Sequence, residues 1–193
     1  MKNAILLHGR PSKEEFFNPE TPSESNAYWF PWLQKQLLIN GVHAQTPEIK
    51  EPYAPKYENW VREIERFEIT PETILVGHSC GGGALVRWLS ENKDIKVGKV
   101  VLVAPWIDVE KDDWPLFDFT IDPDIADRTA GLTIFHSDND GPEMQSTSAV
   151  LKKTLNNYEH VEFHGYGHFT QRGMNTGEFP ELLQACLDKA AIS

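Results

Sequence analysis

An α/β fold with a mainly parallel sheet is what this sequence predicts, and three observations predict it. Four short runs, residues 4–7, 73–76, 100–103 and 132–135, are apolar at nearly every position rather than at alternate ones. Strands of that kind belong in sheets covered on both faces. Segments of helical length separate the runs, and alternation of strand with helix is the pattern of a doubly wound sheet. No repeat, low-complexity tract or linker breaks the sequence, so one domain is expected over residues 1–193.

Two weaker runs, 42–45 and 160–163, bring the expected strands to six. Helices are expected over about 27–39, 57–67, 82–92, 146–155 and 179–190, with Trp29, Phe30 and Trp32 supplying core from the first of these. Two irregular stretches interrupt the rhythm. Residues 10–26 form a polar loop carrying Pro11, Pro19 and Pro22; residues 105–128 mix acids with Trp106, Trp114, Phe117 and Phe119. The second is either a long loop or a surface helix with an apolar face. Both follow strands, and in open α/β sheets ligands bind at the carboxyl ends of strands.

Composition narrows the partners. The chain is 40% hydrophobic and 24% charged, which is ordinary for a soluble domain, and its net charge is -11. That sign repels phosphate backbones and anionic membrane surfaces, so neither nucleic acid nor membrane is an expected partner. No apolar run approaches the ~20 residues of a membrane span. The run at 4–7 stops at His8-Gly9-Arg10, too short for a secretory signal. Cys80 and Cys186 lie far apart and suggest no disulfide framework. A cytoplasmic protein acting on a small molecule is the expectation.

Chemistry concentrates at Gly77-His78-Ser79-Cys80-Gly81, a G-x-S-x-G between a strand and a helix. A sharp turn there lifts a serine hydroxyl clear of the sheet's end, and glycines flank it because a Cβ would collide with neighbouring backbone. A nucleophilic serine needs a base to take its proton and an acid to hold that base. In the order Ser, acid, His, the acid should follow a later strand. Residues 132–136 run into Ser137-Asp138-Asn139-Asp140-Gly141, which offers two carboxylates, Asp138 and Asp140. The histidine should follow the last strand, and His168 does, after Gly165-Tyr166-Gly167. The residues between Asp140 and His168 hold one helix and one strand.

Ser79 in its Gly-His-Ser-Cys-Gly-Gly setting, the Ser-Asp-Asn-Asp segment, Gly167-His168-Phe169 and the early His8-Gly9 resemble the small serine hydrolases typified by retinoblastoma-binding protein 9. The resemblance runs over most of the chain. It implies a single-domain α/β-hydrolase fold with no large cap, acting on small carboxylic esters or related acyl bonds without metal or organic cofactor. In that family the acid lies three residues after the small residue closing its strand, which selects Asp140. Gly141-Pro142 departs from the usual proline directly after the acid, so Asp138 stays open. The resemblance also implies an oxyanion hole made by the backbone N–H groups of Arg10 and Cys80. Trp106, Trp114 and Phe117 are then the candidates for an acyl pocket.

Other readings are weaker. His160, His164 and His168 recur every four residues, but Gly165 and Gly167 would break the helix that such a metal site requires. A calcium loop framed on Gly141 would put His136 at its first ligand and Thr147 at its twelfth. The glycines from Gly77 to Gly83 lack the frame of a phosphate loop. Cys80 reads as a small packing residue, and His8 and His78 as structural hydrogen-bonders. The alternatives to an esterase are a thioesterase or peptidase on the same site, or a binding scaffold with an idle site. For the scaffold no L-x-C-x-E peptide is present at either cysteine.

Overall fold

The computed structural model describes residues 2–109 and 115–187. Its strands are β1 (Asn3–Leu7), β2 (His43–Gln45), β3 (Ile74–His78), β4 (Val100–Val103), β5 (Leu132–Ser137) and β6 (Glu159–Phe163). All pairings are parallel, in one sheet ordered β2-β1-β3-β4-β5-β6. The helices are α1 (Lys13–Phe17), α2 (Phe30–Ile39), α3 (Tyr57–Glu65), α4 (Cys80–Glu91), α5 (Pro142–Thr154), α6 (Gln171–Met174) and α7 (Pro180–Leu187).

The apolar runs are continuous because both faces of the sheet are covered. Ile5, Leu7, Leu75, Val100 and Leu102 point to one side, where Trp60 and Ile64 of α3, the apolar face of α4 and Leu151 of α5 meet them. Ala4, Leu6, Ile74, Val76, Val101 and Val103 point to the other, against Phe30, Leu33 and Leu37 of α2 and Leu182 and Cys186 of α7. Successive strand residues therefore serve opposite cores, as the period of two demands. Chain order reverses between β1 and β3, so the loops leaving these neighbours diverge and open a crevice at their carboxyl ends.

Several expected boundaries move for physical reasons. Residues 10–26 are not wholly loop. Ser12 accepts from the Glu15 N–H and the Glu15 carboxylate accepts from the Ser12 N–H, a capping box that nucleates α1. The helix expected from residue 27 begins at Phe30, with Trp29 as its cap. The helix expected from 82 begins at Cys80, directly after Ser79, and that expected from 146 begins at Pro142, since proline suits a first helical position. Between 105 and 128 the described residues form two 3-10 turns, Pro115–Phe117 and Ile125–Arg128, rather than a surface helix. The last helix is described as far as Leu187. Among the described residues no helix is long and apolar enough to cross a membrane.

Candidate active site

Ser79 closes β3 and opens α4 with φ 54° and ψ -121°, a backbone conformation costly to a residue with a side chain. The surroundings impose it. The Ser79 N–H donates to the Val103 carbonyl at 3.0 Å, and its own carbonyl accepts from Gly83 at 3.1 Å and Trp106 at 3.0 Å. The flanking glycines are required by close approach. A Cβ on Gly77 would lie 2.7 Å from the Gly82 nitrogen, and one on Gly81 would lie 2.5 Å from the carbonyl oxygens of Leu7 and His8. Cys80 takes the first position of α4, where the amide has no partner within the helix. Burial pushes its thiol pKa upward, which suits a packing residue and not a nucleophile.

The acid and histidine loops are laced together one residue at a time. Ser137 Oγ accepts from the Tyr166 N–H at 3.0 Å. Asp138 accepts from the Gly165 N–H at 2.9 Å and holds His164 Nδ1 at 2.8 Å. Asn139 Oδ1 accepts from the Gly167 N–H at 2.7 Å. Asp140 receives His168 Nδ1 at 2.9 Å through Oδ2, and the Gly141 N–H at 2.7 Å through Oδ1. Four consecutive side chains thus grip the segment from His164 to His168.

This lacing assigns the two carboxylates different histidines. Asp138 and His164 form an exposed pair, and the Gly165 N–H together with His164 holds the Asp138 carboxyl below the usual carboxylate range. The Asp140 side chain is 2% exposed and faces His168. With Nδ1–H donated to Asp140, His168 keeps Nε2 as its acceptor, the tautomer a general base needs. His160 goes elsewhere, its ring 5.8 Å from that of His136. The three regularly spaced histidines therefore have three separate environments.

Two buried ring donors hold the main chain of the histidine loop. His78 Nε2–H donates to the His168 carbonyl at 2.9 Å, and Trp29 Nε1–H donates to the Phe169 carbonyl at 3.2 Å. Burial, and next the proximity of His168, push the His78 pKa down to about 3, so the ring is neutral. The sequence marked His78 as a hydrogen-bonder and Trp29 as core. Their common target, a loop some 90 or more residues away, had no local signal.

Across the crevice, His8 shapes the turn after β1. Its Nδ1–H donates to the Gly9 carbonyl at 2.8 Å while Nε2 accepts the Ile49 N–H at 2.9 Å, which fixes a neutral ring. Burial pulls its pKa down, against the opposing influence of Glu48. In a trans peptide the C=O and N–H point opposite ways. Pinning the Gly9 oxygen therefore also pins the direction of the Arg10 N–H. The Arg10 guanidinium lies 5.6 Å from the centre of the Trp106 ring.

Of the residues expected to line an acyl pocket, Trp106 and Phe117 are 8% and 5% exposed and meet edge to face at 5.0 Å. They belong to the core packed on α4. Trp114 lies outside the described residues. A cleft of about 230 Å³ opens elsewhere, on the loop after β1, between Pro11, Phe16, Phe17, Glu24 and Glu48.

Comparison with known proteins bears on the family and the fold. A family model described as serine hydrolase matches residues 21–185. The YdeN protein of Bacillus subtilis is 35% identical over 85 residues, which is 42% of this chain and 45% of YdeN, just under half of that relative's length. Its crystal structure superposes with a TM-score of 0.78 at 23% identity, covering 98% of this chain and all of YdeN. Est1E from Butyrivibrio proteoclasticus, solved with ferulic acid bound, superposes with a TM-score of 0.63 at 14% identity, over 97% of this chain and 87% of Est1E. The six-stranded parallel sheet with its covering helices is an α/β-hydrolase fold.

Proposed function

Because this chain belongs to the serine hydrolase family, we propose that it cleaves small carboxylic esters through Ser79, His168 and Asp140. The observation that carries the reading is the bond from His168 Nδ1 to the buried Asp140 carboxylate, on loops at the same end of the sheet as the strained Ser79. Ser79 Oγ attacks the ester carbonyl carbon while His168 Nε2 takes the hydroxyl proton. Asp140 orients the ring and stabilises the imidazolium. The Arg10 and Cys80 N–H groups receive the oxyanion, each such donor being worth ~3 kcal/mol in the transition state. His168 returns the proton to the departing alcohol. It then takes a proton from a water whose oxygen attacks the acyl carbon, and passes that proton to Ser79 Oγ as the acyl bond breaks and the acid leaves. The steps use protein groups and water alone.

Esters rank first because Est1E, solved with ferulic acid bound, shares the fold. Thioesters and amides would react by the same steps, and a substrate panel ranks them. The deciding experiment is labelling with a fluorophosphonate probe followed by peptide mass spectrometry. Modification of Ser79 in the wild type, lost in His168→Ala, is the expected result. Absence of labelling by several such probes in folded protein would overturn the reading in favour of a binding scaffold.

A further inference from the structure

We infer that the cleft on the loop after β1 is a binding site for a small organic cation, an alkylammonium or guanidinium group. Three carboxylates line it from three segments: Glu15 from α1, Glu24 from the 3-10 turn Glu24–Asn26, and Glu48 from the stretch after β2. Pro11, Phe16 and Phe17 supply apolar walls between them.

Glu24 is the unusual member. Its residue is only 9% exposed, yet no donor among the described residues hydrogen-bonds to its carboxylate. The other two are occupied only by neutral donors. Glu15 accepts from the Ser12 N–H and Glu48 from the Ser25 N–H. Glu48 also lies 3.4 Å from His8 Nε2, but that nitrogen already accepts the Ile49 N–H and carries no proton to share. Among the described residues no lysine or arginine pairs with any of the three. Burying a carboxylate without a partner is unfavourable. Burial and the neighbouring charges of Glu15 and Glu48 accordingly push the Glu24 pKa up to about 7. A cation entering the cleft removes that penalty.

The shape selects an organic cation over a metal ion. Among the described residues no three His, Cys, Asp or Glu side chains converge tightly enough to hold a metal. The carboxylates surround a volume instead of sharing a point, and aromatic faces add the attraction that ring quadrupoles offer a cation. At about 230 Å³ the cleft falls below the ~300–1,000 Å³ of pockets for drug-sized ligands, which suits a head group. Pro11 lines the cleft one residue beyond Arg10, and Glu48 reaches the ring that orients the Gly9–Arg10 peptide. If the hydrolase reading above holds, the cation is therefore part of the substrate.

The test separates the two ideas, because binding is read without catalysis. Choline and its uncharged isostere, with tert-butyl in place of trimethylammonium, are titrated by calorimetry and NMR at about pH 8, where Glu24 is ionised. Choline is expected to bind at least ~10-fold more tightly. Its shifts should fall on the Phe16 and Phe17 rings, and Glu24→Gln and Glu48→Gln should each remove most of the difference. Equal affinity for the two probes, no binding of either, or shifts confined to other residues would overturn the assignment. In a hydrolysis assay the choline ester is expected to exceed the isosteric neutral ester in kcat/KM by a similar factor. Failure to cleave either ester, with choline still bound, would count against the hydrolase reading and leave the cation site standing.

Discussion

His78 Nε2–H donates to the backbone carbonyl of His168 across 2.9 Å, and the two imidazole rings lie 4.9 Å apart. One histidine thereby sets the position of another from the residue next to the candidate nucleophile. The role requires a proton on Nε2 and a neutral ring, and burial secures the second. His78→Phe keeps the aromatic packing with Tyr28, Trp29 and Phe30 but deletes the donor. We expect kcat on an activated ester to fall ~10-fold or more with little change in KM, since small misplacement of a base is costly. His78→Gln, which offers an amide N–H in a similar place, should recover part of the loss. Equal kcat in His78→Phe and wild type would remove the positioning role.

The two carboxylates of the acid loop make a sharper contrast. Asp140 is buried on His168, whereas Asp138 is exposed on His164. Asp140→Asn should lower kcat by ~10²–10⁴, because the amide favours the wrong tautomer of His168. Asp138→Asn should stay within a few-fold of wild type, as an exposed ion pair contributes little. Steady-state kinetics on one ester decides it. The reverse ranking would transfer the role to Asp138.

The sheet was readable because each of its central strands is buried on both faces and so announces itself as an apolar run. The elbow was readable because Gly77 and Gly81 answer to local clashes with neighbouring backbone. His168 followed from chain order and a glycine-rich turn. The choice between Asp138 and Asp140 was not a local matter. It depends on four side chains, Ser137 to Asp140, each meeting a partner some 25–30 positions later. The capped helix Lys13–Phe17 was legible in Ser12 and Glu15, but the prolines around it read as loop. The cleft carboxylates had no signal of their own, since Glu15, Glu24 and Glu48 resemble any exposed glutamates until the fold encloses them.

Gly9 tests how closely the turn after β1 approaches the nucleophile. A Cβ at this position would stand 2.9 Å from Ser79 Cβ and 3.4 Å from its Oγ. The first contact is shorter than packed carbons tolerate, so Gly9→Ala must displace either the turn or the serine. Each movement disturbs the alignment of the attacking Ser79 Oγ with the oxyanion that the Arg10 N–H is proposed to receive. We expect a folded protein, stability reduced by ~1–3 kcal/mol as for other overpacked sites, and kcat reduced by at least ~10². Circular dichroism and fluorophosphonate labelling rate together read both effects. Wild-type labelling in Gly9→Ala would mean the turn yields without affecting the site.

Glu24 should reveal itself in the pH dependence of stability. Its folded pKa, about 7, stands above the ordinary 4.5 of an unfolded chain. Between those values the folded state binds the proton more tightly, so this group's contribution to stability falls as pH rises and is fully unfavourable above about 7. The shift corresponds to ~3 kcal/mol at most, and on the order of 1–2 kcal/mol once screening at the cleft mouth is allowed for. His8 and His78 act in the opposite sense over an overlapping window, because their pKa values are depressed and their charging in acid opposes folding. The wild-type curve alone is therefore a sum of opposed effects, and the comparison between variants isolates Glu24. Glu24→Gln should be more stable than wild type at about pH 8, with the difference vanishing by about pH 4.5. Urea unfolding at the two pH values measures it. A saturating cation should stabilise the wild type at about pH 8 and leave Glu24→Gln nearly unmoved, since only a ligand that prefers the native state raises stability. A destabilised Glu24→Gln at that pH would mean the carboxylate has a partner within the fold and that the cleft is already satisfied.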